Sequence, residues 1–222
     1  VDEYAPLLHK GNHASAEERQ RVLVGMQRFT GISADYWDKA NLRMDEGRFT
    51  KQLLRERSKV VGRIDSRFTG DSISDISESI YYDPFFPAVG PAFTATFNDY
   101  YREQFGVKTT RRYITSGGLW TKWDDRHSQL GATDYGKVPF ANTGVDLNHA
   151  MIQNPNLRVL VQQSYYDLAT PYGATNYFID HMELLIKLQN NIMLKHYEAG
   201  HMMYLHKDSM IKFSCDLAEF IE

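Results

Sequence analysis

Two residues stand where a hydroxyl nucleophile could be activated. Asp167 sits in Ser164-Tyr-Tyr-Asp-Leu-Ala-Thr-Pro171, and His201 sits in Tyr197-Glu-Ala-Gly-His-Met-Met-Tyr204. A carboxylate beside an imidazole accepts its ring N–H, fixes the tautomer and stabilises the imidazolium that forms during reaction. The ring nitrogen left free can then take a proton as general base. Each residue also has a plainer reading. An Asp opening a loop caps turns, and a Gly-His pair can simply shape a strand end.

The elements around them would place both residues on one edge of a sheet. Arg158–Gln162 and Ile192–Tyr197 are short apolar runs that read as buried strands. Thr170-Pro171 reads as a helix start, Thr as N-cap and Pro at the first helical position. Its apolar face runs through Ala174, Tyr177, Phe178, Met182, Leu185 and Leu188. A last helix is predicted over about Ser209–Ile221, with Met210, Phe213, Leu217, Phe220 and Ile221 facing inward. Strand, helix, strand, helix is the order of a parallel sheet with crossovers. Active crevices in such α/β sheets lie at the carboxyl ends of strands, where both residues would fall. Asp before His matches the Ser, Asp, His order of α/β-hydrolases.

The upstream region reads as mainly helical. Ser15-Ala-Glu-Glu18 is a capping box, followed by Val22, Leu23, Met26 and Phe29 at helical spacing and by Gly31 as a stop. Further helices are predicted over 33–44, about 50–59 and 93–106, the last with Phe93, Phe97, Tyr100, Tyr101 and Phe105 on one face. Val60–Phe68 alternates like a strand, 70–92 reads as a long loop, Arg112–Thr115 as a strand and Asp146–Ile152 as a helix. The organisation expected is a cap region over 1–145, then β/α units over 146–222 carrying the acid and the base.

The segments Val159–Pro171 and Tyr197–Met202 resemble the Asp and His segments of the serine carboxypeptidase family, its bacterial branch above all. Tyr36-Trp37, Asn41-Leu42-Arg43 and Gly62-Arg63-Ile64-Asp65-Ser66-Arg67-Phe68-Thr69-Gly70 carry the resemblance upstream, so that it spans roughly residues 10–222. It implies the C-terminal portion of an α/β-hydrolase fold with a helical cap. Asp167 would be the triad acid, His201 the triad base, and Met202 a residue bordering the substrate pocket. The implied activity is release of C-terminal residues from peptides through an acyl-enzyme, without metal or organic cofactor, in an exported protein. The family's nucleophile lies in a Gly-x-Ser-x-Gly elbow, and no such motif occurs here; Ser116-Gly117-Gly118 is the nearest Ser-Gly cluster. The serine is therefore expected on a second polypeptide or a preceding segment. A related acyltransferase or esterase, and a non-catalytic binding fragment, remain open as alternatives.

Composition narrows the field. Apolar residues are 42%, charged residues 24% and the net charge is −3, an ordinary globular balance that argues against nucleic-acid binding. No stretch approaches the 18 apolar residues of a membrane span. Cys215, the single cysteine, excludes an internal disulfide and reads as a small buried hydrophobe. His201 and His206 are five residues apart without a His-Glu-x-x-His pattern, so no metal site is expected.

Overall fold

The computed structural model describes residues 2–115, 117–128 and 142–222. About half of the chain is helical, with one antiparallel and one parallel pair of strands. The chain divides into two compact units, Val1–Phe85 and Phe86–Glu222. The boundary expected at 145/146 falls inside the second.

The first unit contains α1 (Tyr4–Lys10), α2 (Ala16–Thr30), α3 (Ala34–Lys39) and α4 (Glu46–Gln52), then β1 (Lys59–Val61) and β2 (Thr69–Asp71). The capping box closes α2 at its start: the Ser15 hydroxyl accepts from the Glu18 amide, and the Glu18 carboxylate accepts from the Ser15 amide. Gly31 ends it in the left-handed region. Leu7, Val22, Leu23, Ile32, Trp37 and Leu42 form the core.

Three predicted elements change here. The helix predicted over 33–44 is shorter. Asn41 and Leu42 take left-handed backbone, and the Leu42 amide bonds the Trp37 carbonyl, closing the helix while burying Leu42. The helix predicted from Thr50 starts at Glu46, because Asp45 caps it through the Arg48 amide.

The alternating segment 60–68 is a strand only to Val61. Asp83 then accepts from the Arg63 and Ile64 amides at 3.0 Å each, and Arg67 turns back onto Asp65. The alternation of Arg and Asp pairs charges inside a turn, and β1 and β2 run antiparallel on either side. Gly62 lets the turn close. A Cβ there would lie 2.5 Å from the Asp65 carbonyl oxygen. Gly62→Ala is therefore expected to cost about 1–3 kcal/mol, the usual range for overpacking, read as a lower urea midpoint. An unchanged midpoint would contradict this account of the turn.

The second unit contains α5 (Phe85–Glu103), α6 (Gly144–Gln153), β3 (Val159–Ser164), α7 (Tyr172–Asp180), α8 (Ile186–Gln189), β4 (Ile192–Tyr197) and α9 (Lys207–Ile221), with α5 opening at the unit boundary. It starts eight residues before the predicted Phe93. Asp83 accepts from the Phe85 amide, and Pro87 lies in the first turn, where a missing amide is tolerated. The aromatic face of α5 is exposed rather than packed: Phe93, Phe97, Tyr100, Tyr101 and Phe105 all stand open. No strand forms at Arg112–Thr115; those residues are irregular.

β3 and β4 are parallel, in register from Val159 opposite Ile192 to Ser164 opposite Tyr197. β4 has the predicted bounds, and β3 runs two residues past Gln162. α9 packs on this pair through a polar contact. The Tyr197 hydroxyl donates to Asp216 Oδ2 at 2.9 Å and accepts from Gln162 Nε2 at 2.9 Å, while Lys195 pairs with Asp216 Oδ1 at 2.9 Å. Burial pushes the Tyr197 hydroxyl up to about 12, so it stays a donor. Turning Asp216 inward turns Met210, Leu217 and Ile221 outward, against the predicted inward stripe, and Cys215 is exposed rather than buried. Among the described residues no helix is long and apolar enough to cross a membrane.

Candidate active site

The parallel register brings Asp167 and His201 together. The ladder runs on past both strands, with the Tyr165 amide bonding the Tyr197 carbonyl at 3.0 Å and the Tyr166 amide bonding the Ala199 carbonyl at 3.0 Å. Asp167 therefore leaves β3 just where the loop after β4 presents His201. Their side chains meet at 2.8 Å, His201 Nδ1 to Asp167 Oδ2.

Asp167 is 5% exposed and accepts four hydrogen bonds. Oδ1 takes the Ala169 amide at 2.8 Å and the Thr170 amide at 2.9 Å. Oδ2 takes the Thr170 hydroxyl at 2.6 Å and the imidazole. Burial alone would raise the carboxyl; the Thr170 hydroxyl and amide, then His201, outweigh it and hold Asp167 below its ordinary value. An ionised carboxylate accepts only, so the ring must carry its proton on Nδ1. Nε2 is then the basic nitrogen, and among the described residues it has no hydrogen-bond partner. The ring is half-exposed, with 46% of its side chain open. The ring is thus oriented by Asp167, with Nε2 free of partners among the described residues.

The other candidates fall elsewhere. Met202 follows His201, half-buried. His206 bonds the Ser209 hydroxyl through Nδ1 at 2.8 Å, at the start of α9, and takes no part in the pair. Glu198 accepts from the Tyr166 hydroxyl at 3.0 Å. Ser116 lies outside the described residues. Among the described residues no three His, Cys, Asp or Glu side chains could hold a metal ion.

Sequence reading missed Thr170. It was expected to cap α7 with Pro171 at the first helical position. The helix starts at Tyr172 instead, Pro171 stands at the cap, and no side chain caps it. The Thr170 hydroxyl bonds Asp167. The signal was present in the Asp-x-x-Thr spacing, which places a hydroxyl one turn from a carboxylate.

Comparison with known proteins returns no matching family model, no matching curated protein and no matching solved structure.

Proposed function

We propose that this chain is the C-terminal portion of an α/β-hydrolase of serine carboxypeptidase type, supplying Asp167 and His201 while a serine comes from another segment. The observation that carries this reading is the Asp167–His201 pair at the ends of adjacent parallel strands, with Nε2 open. In the complete enzyme Nε2 takes the serine proton during attack on the scissile carbonyl and returns it to the leaving amine. Met202, next to the base, borders the substrate's side chain. The substrate is a peptide, cut near its C-terminus, and the setting is that of an exported enzyme.

The incomplete sheet supports a missing segment. Two parallel strands are a marginal sheet by themselves, and parallel sheets are otherwise covered on both faces. Val159 donates to the Asn191 carbonyl just before β4 and Tyr165 to the Tyr197 carbonyl, so the alternating amides of Leu160, Gln162 and Ser164 face away from β4 along the other edge. An added strand would use that edge.

The test is a fluorophosphonate probe applied to native material, followed by intact-mass and peptide mapping. One adduct is expected, on a serine outside residues 1–222, in a polypeptide that copurifies with this chain or continues it. A stoichiometric adduct on a serine within 1–222, or no adduct at all, would overturn the proposal.

A further inference from the structure

We propose that Thr170 is a positioning residue of this site, its hydroxyl fixing the one carboxylate oxygen of Asp167 that meets the imidazole. The inference rests on the reading of Asp167 and His201 as an acid–base pair. The two backbone amides hold only Oδ1. Oδ2, the oxygen that faces the ring, would otherwise be held by the ring alone. A carboxylate pinned at one oxygen can twist about its last torsion, whereas one pinned at both has a fixed plane. Thr170 Oγ1, at 2.6 Å from Oδ2, supplies the second point.

Three features suit Thr170 to this role. Its β-branched side chain has few χ1 rotamers. Pro171 behind it restricts its backbone to extended conformations, which presets the direction of the hydroxyl. The hydroxyl also lies 3.3 Å from His201 Nδ1. Its proton is committed to Asp167, so its oxygen lone pair faces the ring nitrogen. That welcomes a protonated Nδ1 and repels a bare one. No helix amide among the described residues bonds this hydroxyl, so it is not needed as a cap.

The charge of Asp167 depends on the same contact. Among the described residues His201, from the loop after β4, is the titratable group that lowers this carboxyl; the remaining contacts come from Ala169 and Thr170 in its own loop. On the flanking strand ends, Tyr166 and Glu198 bond each other. Removing the hydroxyl removes a donor to the anion and eases protonation.

The test is a ¹³C-carboxyl NMR titration of the 222-residue chain and of Thr170→Val and Thr170→Ser. In Thr170→Val the Asp167 carboxyl is expected to bind protons about tenfold more tightly, the weight of one charge-assisted hydrogen bond, moving its midpoint up by about one pH unit. Thr170→Ser is expected to restore the parent midpoint. A valine variant that titrates like the parent would overturn the proposal, as would a serine variant that titrates like valine. Amide spectra report folding; if the valine variant does not fold, Thr170→Ala takes its place with the same two outcomes. The titration needs no turnover, so it stands or falls separately from the search for a phosphonate adduct.

Discussion

Replacing His201 by alanine in the complete enzyme is expected to lower kcat/KM by about 10³–10⁴-fold or more. The substitution removes the free Nε2, the group that takes the nucleophile's proton in the proposed function. Asp167→Asn should fall in the same range, for a reason visible in its hydrogen bonds. Oδ1 accepts two amides, so in the asparagine variant the carbonyl oxygen must keep that position. The amide NH₂ is then forced into the place of Oδ2, facing Nδ1. An NH₂ there requires a bare Nδ1, which drives the ring proton to Nε2 and blocks the base. The double variant should be scarcely worse than His201→Ala, because the two residues act as one unit. His206→Ala is the control. Its ring bonds Ser209, and the change should cost less than about tenfold. Steady-state kinetics on the four variants, each checked for folding, decides the matter. Loss of turnover in His206→Ala with activity retained in His201→Ala would reverse the assignment.

The Asp167–His201 contact was legible in sequence because its placement depends on strands, whose apolar runs are hard to mistake. Ile192–Tyr197 was bounded correctly, and one strand-helix-strand unit separates Asp167 from His201. The Ser15 capping box and the Gly31 stop were legible for a similar reason: each is a local hydrogen-bond pattern that needs no tertiary partner. What failed was orientation. On α9 the apolar spacing of Met210, Leu217 and Ile221 suggested an inward face. The hydroxyl of Tyr197 and the ammonium of Lys195 instead claim Asp216. A buried polar group left unpaired costs about 1–3 kcal/mol, enough to set which face of a helix turns in when the apolar alternative has nothing to pack on. The stripe on α9 and the aromatic face of α5 leave large apolar side chains exposed. Turn chemistry failed for a different reason. The alternation at 60–68 was read by period alone, while Asp83, some twenty residues on, decides that the backbone turns at Arg63 and Ile64.

By itself, the 222-residue chain is expected to release C-terminal residues at least about 10⁶-fold more slowly than the complete enzyme, the scale on which removing a serine nucleophile acts. A base cannot replace the group it activates. General-base assistance alone contributes about 10²–10⁴-fold, and here it would have only water to act on. The His201 ring is half-exposed, whereas oxyanion donors act in an enclosed site, where a single one contributes about 10²–10³-fold. No Gly-x-Ser-x-Gly elbow occurs in the 222 residues to supply the nucleophile of the proposed acyl-enzyme. Initial rates on a blocked dipeptide, with the chain alone and with the serine-bearing polypeptide added, measure the difference. Addition should restore turnover together with hydrogen-exchange protection at the Leu160 and Gln162 amides, because a strand that completes the sheet would occupy that edge. Turnover by the chain alone within about 10³-fold of the complete enzyme, abolished by His201→Ala, would place the nucleophile within these residues and sink the two-segment reading.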